Sequence, residues 1–151
     1  DVILLAGGHV PTQNAFMKKI GLKEKLMDFD GLLLAWSAGS MNCASRVYAS
    51  PELEGEAADP GFVRWISGLG LTEINMYPHY QVLKEEYLDG FRVIEDIAYA
   101  DSFTHELLAL NDGSYITIEN GTETLYGEAY RIKDGNLEKI CRDGEAVVLK
   151  N

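Results

Sequence analysis

The chain has 151 residues, of which 46% are hydrophobic and 25% are charged, and this composition predicts a single globular domain spanning residues 1–151. The net charge of −11 argues against nucleic acid and against an anionic membrane surface as partners. No apolar run approaches the ~20 residues that a membrane-spanning helix needs. Cys43 and Cys141 match no metal-binding or redox spacing, so we expect reduced thiols in a cytoplasmic protein, although the sequence leaves a single disulfide open.

The front half of the chain alternates predicted strands and helices. Residues 2–6 and 31–36 are apolar runs that end in small residues, which predicts two buried strands. Helical periodicity predicts a helix over residues 13–28, which Gly21 is able to divide, and a short helix from about Gly39 to Arg46.

The second half changes character. Residues 49–70 are acidic and rich in Pro and Gly and predict a long surface loop, residues 71–77 a strand, and residues 81–100 a partly helical segment. The last fifty residues are short strands separated by Asn-Gly and Asp-Gly turns, which are strong hairpin signals. The predicted fold class is therefore α/β, with a mostly parallel sheet flanked by helices and a C-terminal antiparallel β-meander.

The first predicted strand is apolar on both faces, which is typical of a central strand in a parallel sheet. Because this strand starts at residue 2, we expect that N-terminal β/α units are missing. Its open edge is then expected to recruit a second copy of the chain, giving a homo-oligomer, or a separate chain that supplies the missing strands.

The segment AWSAGSMN, residues 35–42, places a serine where the second strand ends. A nucleophilic serine on a strand-to-helix turn needs small neighbours two residues away, and Ala35 and Gly39 are small. Ser37 is therefore a candidate nucleophile, and the amide of Ala38 a candidate donor to the oxyanion. The structural alternative is a simple turn.

A serine nucleophile needs a base, and the chain offers three histidines. His79 follows the predicted strand 71–77 and is the candidate base. His9 follows the first strand and is the competing base, whereas His105 lies between a helix and a strand and is interpreted as a solvated or capping residue.

The base needs an acid that orients it, and Asp112 follows the strand after His79. Asp112 also suits a plain Asn-Asp-Gly turn, so the sequence leaves open whether another acid has this role. Gly7 and Gly8 match no phosphate-binding motif, and the Gly8 amide is interpreted as the second oxyanion donor. No spacing of His, Cys and carboxylates predicts a metal site.

Four segments together resemble peptidase family S51, the dipeptidase E and cyanophycinase relatives. They are the glycine loop AGGHVPTQN, the serine turn AWSAGSMN, the histidine segment YPH and the segment LALNDGSYITIENG. The resemblance covers most of residues 2–127. It implies a flavodoxin-like, class I glutamine amidotransferase-like fold.

The resemblance also implies a serine peptidase that acts on small peptides without a cofactor. Ser37, His79 and Asp112 would form its triad, although Asp112 stands where the family typically has Glu, which is longer by one methylene. The oxyanion donors would be Gly8 and Ala38.

Three residues near these motifs are candidates for substrate binding, namely Gly7, His9 and Trp36. The arginine-bearing stretch that dipeptidase E has near its substrate is missing after His79. Two alternatives stay open: a non-catalytic binding domain of the same fold, and an esterase or amidase acting on small molecules.

Overall fold

The computed structural model describes all residues from 1 to 151. The chain forms two compact units, Asp1–Met76 and Tyr77–Asn151. Both units contain helices and strands, which confirms the α/β class. The single domain over residues 1–151 stays a prediction. No helix in the structure has the length and apolar character that crossing a membrane requires.

The first unit contains a parallel pair of strands, β1 (Val2–Leu5) and β2 (Leu32–Ala35). Their register places Leu5 opposite Ala35, so both strands end at the same edge of the pair. The other elements of this unit are α1 (Val10–Lys19), α2 (Leu22–Leu26), α3 (Ala38–Asn42), β3 (Arg46–Tyr48) and β4 (Trp65–Ser67). The parallel arrangement expected for the sheet is seen at β1 and β2.

The helix predicted over residues 13–28 forms as two helices, α1 and α2. Gly21 separates them with φ +63°, a left-handed conformation that glycine adopts readily. Helix α1 begins earlier than predicted, at Val10, because proline in the first turn has no amide hydrogen that needs a helical partner.

Strands β1 and β2 are buried on one face only. Val2 and Leu4 are 57% and 60% exposed, whereas Leu5 is 6% exposed. Leu32 and Leu34, which pair with Val2 and Leu4, are also exposed. The interpretation of strand 2–6 as a strand buried on both faces is therefore wrong for this chain, because side chains alternate between faces and one face is left uncovered. Recruitment of a partner at this strand stays a prediction.

The segment 49–70, predicted as a surface loop, includes strand β4. This strand pairs with β3 in antiparallel register, and the rings of Tyr48 and Trp65 lie 5.0 Å apart between centroids. Three residues are too few to show a clear alternation in the sequence, so the pattern missed the strand. The strand predicted at 71–77 shortens to β5 (Met76–Tyr77).

The second unit begins with several short elements. They are α4 (Tyr80–Leu83), β6 (Tyr87–Leu88), β7 (Phe91–Arg92), a π-helical segment (Val93–Ala98) and α5 (Tyr99–Asp101). The helical interpretation of residues 81–100 is wrong at β6 and β7, which form a hairpin. Asp89 and Gly90 have φ +53° and +84°, as a two-residue hairpin turn requires.

Six strands complete the chain: β8 (Leu107–Leu110), β9 (Tyr115–Glu119), β10 (Thr122–Tyr126), β11 (Ala129–Lys133), β12 (Asn136–Cys141) and β13 (Ala146–Lys150). They belong to two sheets, ordered β13-β10-β9 and β12-β11-β8-β5, so the predicted meander is only partly formed. The turns at Asn120-Gly121 and Asp134-Gly135 make hairpins. The turn at Asp112 instead joins strands of different sheets.

Candidate active site

The predicted site residues fall into two groups. Gly7, Gly8, Ser37 and Ala38 belong to the first unit, and the His79–Asp112 pair belongs to the second. In each group the structure brings together residues that are far apart in the sequence: Gly7 lies beside Ser37, and His79 contacts Asp112.

The parallel register of β1 and β2 brings the glycine loop beside the serine. Leu5 pairs with Ala35, so Gly7 and Ser37 both come two residues after the paired strand ends. A Cβ placed on Gly7 would lie 3.2 Å from Ser37 Cβ and 3.5 Å from its Oγ. Glycine at this position therefore leaves space directly beside the serine side chain.

Ser37 occupies a strained turn between β2 and α3. Its backbone has φ +51° and ψ −127°, a combination that non-glycine residues rarely adopt. The Ser37 carbonyl accepts hydrogen bonds from the Met41 amide at 3.1 Å and the Ser40 hydroxyl at 2.7 Å. These bonds hold the turn in place and fix the starting direction of the serine side chain.

Gly39 permits this turn to lie directly on the end of β1. A Cβ on Gly39 would be 2.1 Å from the carbonyl oxygen of Leu5 and 2.8 Å from that of Ala6. Both are backbone atoms that have little freedom to move. The small residue that the sequence pattern required two positions after Ser37 is therefore explained by backbone contact.

The amides proposed as oxyanion donors lie beside this turn. Gly8 has φ +149°, and a Cβ there would contact no atom within 4 Å, so the space above it is open. Neither the Gly7 nor the Gly8 amide donates a hydrogen bond to another group of the protein. Ala38 is 1% exposed, and the neighbouring Trp36, a substrate-binding candidate, is 49% exposed.

His9 has both ring nitrogens engaged within the first unit. Its Nε2–H donates to Glu56 Oε1 at 3.0 Å, and its Nδ1 lies 2.8 Å from the Thr12 hydroxyl. The second carboxylate oxygen of Glu56 accepts from the amides of Glu52 and Leu53. His9 thus fastens the segment around Glu56 to the glycine loop, and this geometry does not favour the alternative in which His9 is the base.

Glu56 is held in its charged form by these contacts. Partial burial raises its pKa, but the backbone amides of Glu52 and Leu53 and then the His9 ring lower it, and the net result is a pKa below the ordinary value. The carboxylate is therefore suited to a structural role that depends on its charge.

His79 and Asp112 form a direct pair in the second unit. His79 Nδ1 lies 2.7 Å from Asp112 Oδ1, and the two side chains are 46% and 58% exposed. His79 has φ +65°, an uncommon conformation for a non-glycine residue, at the start of α4. Gln81, also in α4, accepts a hydrogen bond from the Asp112 amide at 2.9 Å. The start of α4 therefore orients both members of the pair.

Two of these partners were missed in the sequence. Glu56 lies 47 residues after His9, within a segment whose acidic residues all look alike in sequence. Gln81 is only two residues after His79, and a polar side chain in the first turn after a candidate base was an available signal.

Other candidate chemistry is limited. Both cysteines are free and buried, and burial raises the pKa of the Cys43 thiol to about 12. No group of three or more His, Cys, Asp or Glu side chains has an arrangement that could hold a metal ion.

A strained serine at the end of a parallel strand, beside a glycine loop, is an arrangement found in hydrolases of the α/β class. The sequence model of peptidase family S51 matches residues 1–126, a range that includes every residue of the candidate site. The chain therefore belongs to peptidase family S51, and its general function is that of a peptidase. No curated protein is significantly similar to it, so the family match alone carries this assignment.

Proposed function

We propose that the protein is a serine peptidase of the dipeptidase E type that hydrolyses small peptides. In this mechanism Ser37 is the nucleophile, His79 is its general base and Asp112 orients the histidine. The amides of Gly8 and Ala38 donate to the oxyanion. The reaction needs no cofactor.

The observation that carries the proposal is the backbone of Ser37. A residue with φ +51° and ψ −127° costs about 1–3 kcal/mol relative to a relaxed conformation, and such strain clusters at functional sites. Gly39 is needed to accommodate the turn, since a methyl group there would overlap the Leu5 carbonyl, whereas a methyl group on Gly7 would only crowd the Ser37 side chain. A turn that served only to connect β2 and α3 would have no need of this geometry.

The His79–Asp112 pair supports the choice of base. A carboxylate that accepts from Nδ1–H leaves the proton-accepting lone pair of the neutral ring on Nε2. That tautomer is the one that takes a proton from a serine hydroxyl. The two ring nitrogens of His9 contact Thr12 and Glu56, so His9 has a structural role in joining the glycine loop to the segment around Glu56.

The chemical steps follow from these roles. Ser37 Oγ attacks the peptide carbonyl carbon while its proton passes to His79 Nε2. The tetrahedral oxyanion collapses, the C–N bond breaks, and His79 gives the proton to the leaving amine. A water molecule, activated by the same histidine, then hydrolyses the acyl-enzyme and restores the serine.

Hydrolysis of a dipeptide panel, with a p-nitrophenyl ester measured in parallel, tests the proposal. Wild-type protein is expected to cleave at least one peptide, and Ser37→Ala is expected to lose the activity. Ser45→Ala is a control, because Ser45 contacts Glu73 rather than the serine turn. Ester cleavage without peptide cleavage would indicate the esterase alternative, and no cleavage of either class by folded protein would indicate the binding-domain alternative.

A further inference from the structure

Three carboxamide side chains form a continuous hydrogen-bonded chain behind the serine turn. Asn14 Nδ2 donates to Asn42 Oδ1 at 2.9 Å, and Asn42 Nδ2 donates to Gln13 Oε1 at 3.0 Å. Gln13 Nε2 then donates to the carbonyl oxygen of Ala6 at 2.6 Å. This carboxamide network therefore starts between α1 and α3 and ends at Ala6, the residue before Gly7.

Both N–H groups and the oxygen of the central carboxamide, Asn42, have hydrogen-bond partners. Asn42 is 0% exposed, and its second N–H donates to the Val10 carbonyl at 3.3 Å. Asn14 is 5% exposed, and its second N–H donates to the Ser67 carbonyl at 2.9 Å. The two buried asparagines therefore link α1 with α3 and β4 through hydrogen bonds, and Gln13, which is only partly buried, extends this network to Ala6.

All three carboxamides point the same way. Each NH₂ group donates to the next carbonyl, so the amide dipoles align toward the Ala6 carbonyl, and aligned hydrogen bonds strengthen one another. The Ala6 carbonyl and the Gly7 N–H belong to one planar peptide group. Fixing the carbonyl fixes the direction of the Gly7 N–H, and donation to the carbonyl makes that N–H a stronger donor.

The Ala6 end of the carboxamide network lies beside the candidate nucleophile, Ser37. The Ala6 oxygen would be 2.8 Å from a Cβ on Gly39, and a Cβ on Gly7 would be 3.2 Å from Ser37 Cβ. Asn42 lies on α3, the helix that directly follows Ser37. One side-chain network thus touches both the glycine loop and the helix of the serine turn.

We propose that Gln13 is a positioning residue for the Gly8 oxyanion donor. Its carboxamide, held by Asn42, fixes the Ala6–Gly7 peptide, which directly precedes the peptide that carries the Gly8 amide, and so sets the path of the backbone into that donor beside Ser37. This inference rests on the proposed function of Ser37 as the nucleophile. It adds a residue that touches neither the substrate nor the reacting atoms and acts through the Ala6 carbonyl.

The substitution Gln13→Met tests the inference, because methionine keeps the length of the side chain and removes both hydrogen bonds. Lys19→Met is the matched control, since Lys19 is an exposed residue of the same helix. Three quantities are measured for each protein: the second-order rate constant for labelling by a fluorophosphonate, the melting temperature, and the ¹⁵N chemical shift of Gly7.

We expect Gln13→Met to lower the labelling rate constant by about 10- to 100-fold, as small displacements of a catalytic group do. The melting temperature should fall by about 2–12 °C relative to Lys19→Met, because a buried N–H of Asn42 loses its acceptor, but the protein should stay folded at the assay temperature. The Gly7 ¹⁵N resonance should move upfield, because its peptide carbonyl loses a hydrogen bond.

Three results would overturn the inference, and they are distinguishable. If wild-type protein is labelled at Ser37 and Gln13→Met is labelled equally fast, Gln13 has no positioning role and the proposed function stands. If folded wild-type protein is not labelled at Ser37 at all, the proposed function fails and the inference fails with it. A Gly7 resonance that does not move in Gln13→Met would contradict the contact itself.

Discussion

Replacing Asp112 by Asn separates catalysis from folding at the His79–Asp112 pair. Both side chains are about half exposed, at 46% and 58%, so this hydrogen-bonded pair lies in a solvated position. Exposed pairs of this kind contribute about 0–1 kcal/mol to stability. At about 2–4 °C of melting temperature for each kcal/mol in a chain of this size, the expected change is below about 4 °C.

The turn around Asp112 should survive the substitution. The Ser114 amide donates to the Asn111 carbonyl at 3.0 Å across the turn, and Gly113 supplies the positive φ of +93°. Asparagine suits turns of this type, and the Asp112 amide would keep its bond to Gln81.

The catalytic activity of Asp112→Asn, in contrast to its stability, should fall strongly. Asparagine cannot accept from Nδ1–H with the charge of a carboxylate, and its NH₂ group favours the wrong tautomer of His79. We expect kcat/KM for the best dipeptide to fall by about 10³- to 10⁴-fold, the loss that this exchange causes in serine proteases with a triad.

Peptide hydrolysis and thermal unfolding are measured on the same preparations, with Asp143→Asn as the control. Asp143 is an exposed residue of another Asp-Gly turn. Near-normal activity of Asp112→Asn would refute the reasoning and assign the acid to another residue or to none.

Three further predictions follow from the first unit. Gly39→Ala should lower the free energy of unfolding by about 1–3 kcal/mol, because the added Cβ would overlap the Leu5 carbonyl. The melting temperature should then fall by about 2–12 °C, and an unchanged melting temperature would contradict the contact. Gly7→Ala should change the free energy of unfolding by less than about 1 kcal/mol and lower kcat by about 10-fold or more, because the added methyl group crowds Ser37. Equal kcat values for Gly7→Ala and wild type would argue against a substrate beside Gly7. Glu56 has a lowered pKa in the folded protein, so the stability it contributes is present above the ordinary glutamate pKa of about 4.3 and is lost as pH falls through the lower folded value. The melting temperature of Glu56→Gln should therefore be lower than that of wild type at pH 7, and the difference between the two melting temperatures should narrow on acidification. A difference that stays constant with pH would contradict this role of the Glu56 charge.

The sequence predicted the elements that carry the site because their signals are local. The apolar runs at β1 and β2 end abruptly in small residues, and these ends are where Gly7 and Ser37 lie. The dipeptides Asn120-Gly121 and Asp134-Gly135 likewise predicted hairpins that the structure contains.

Long-range contacts had no such signal. Asn42 and Gln13 are 29 residues apart, and His9 and Glu56 are 47 residues apart, so nothing in either segment indicates the other. Local patterns also failed where two signals competed. Tyr87 and Phe91 have helical spacing, but the Asp-Gly turn between them decides the local structure in favour of a hairpin.

The sheet assignment shows the same limit. Asn-Gly and Asp-Gly turns indicate that the chain reverses, but they do not say which strand pairs with which. The turns at Gly113 and Gly144 connect strands of different sheets, and only the full set of packed side chains decides that pairing.

Mapping of a covalent fluorophosphonate adduct tests the central claim most directly. The reagent forms a stable bond to a serine only where a base and oxyanion donors activate the hydroxyl. Intact-mass and peptide-level mass spectrometry of the folded protein should show one adduct, located on Ser37, and none in Ser37→Ala or His79→Ala. The absence of an adduct in folded wild-type protein, or an adduct on a different serine, would contradict the assignment of Ser37 as the nucleophile.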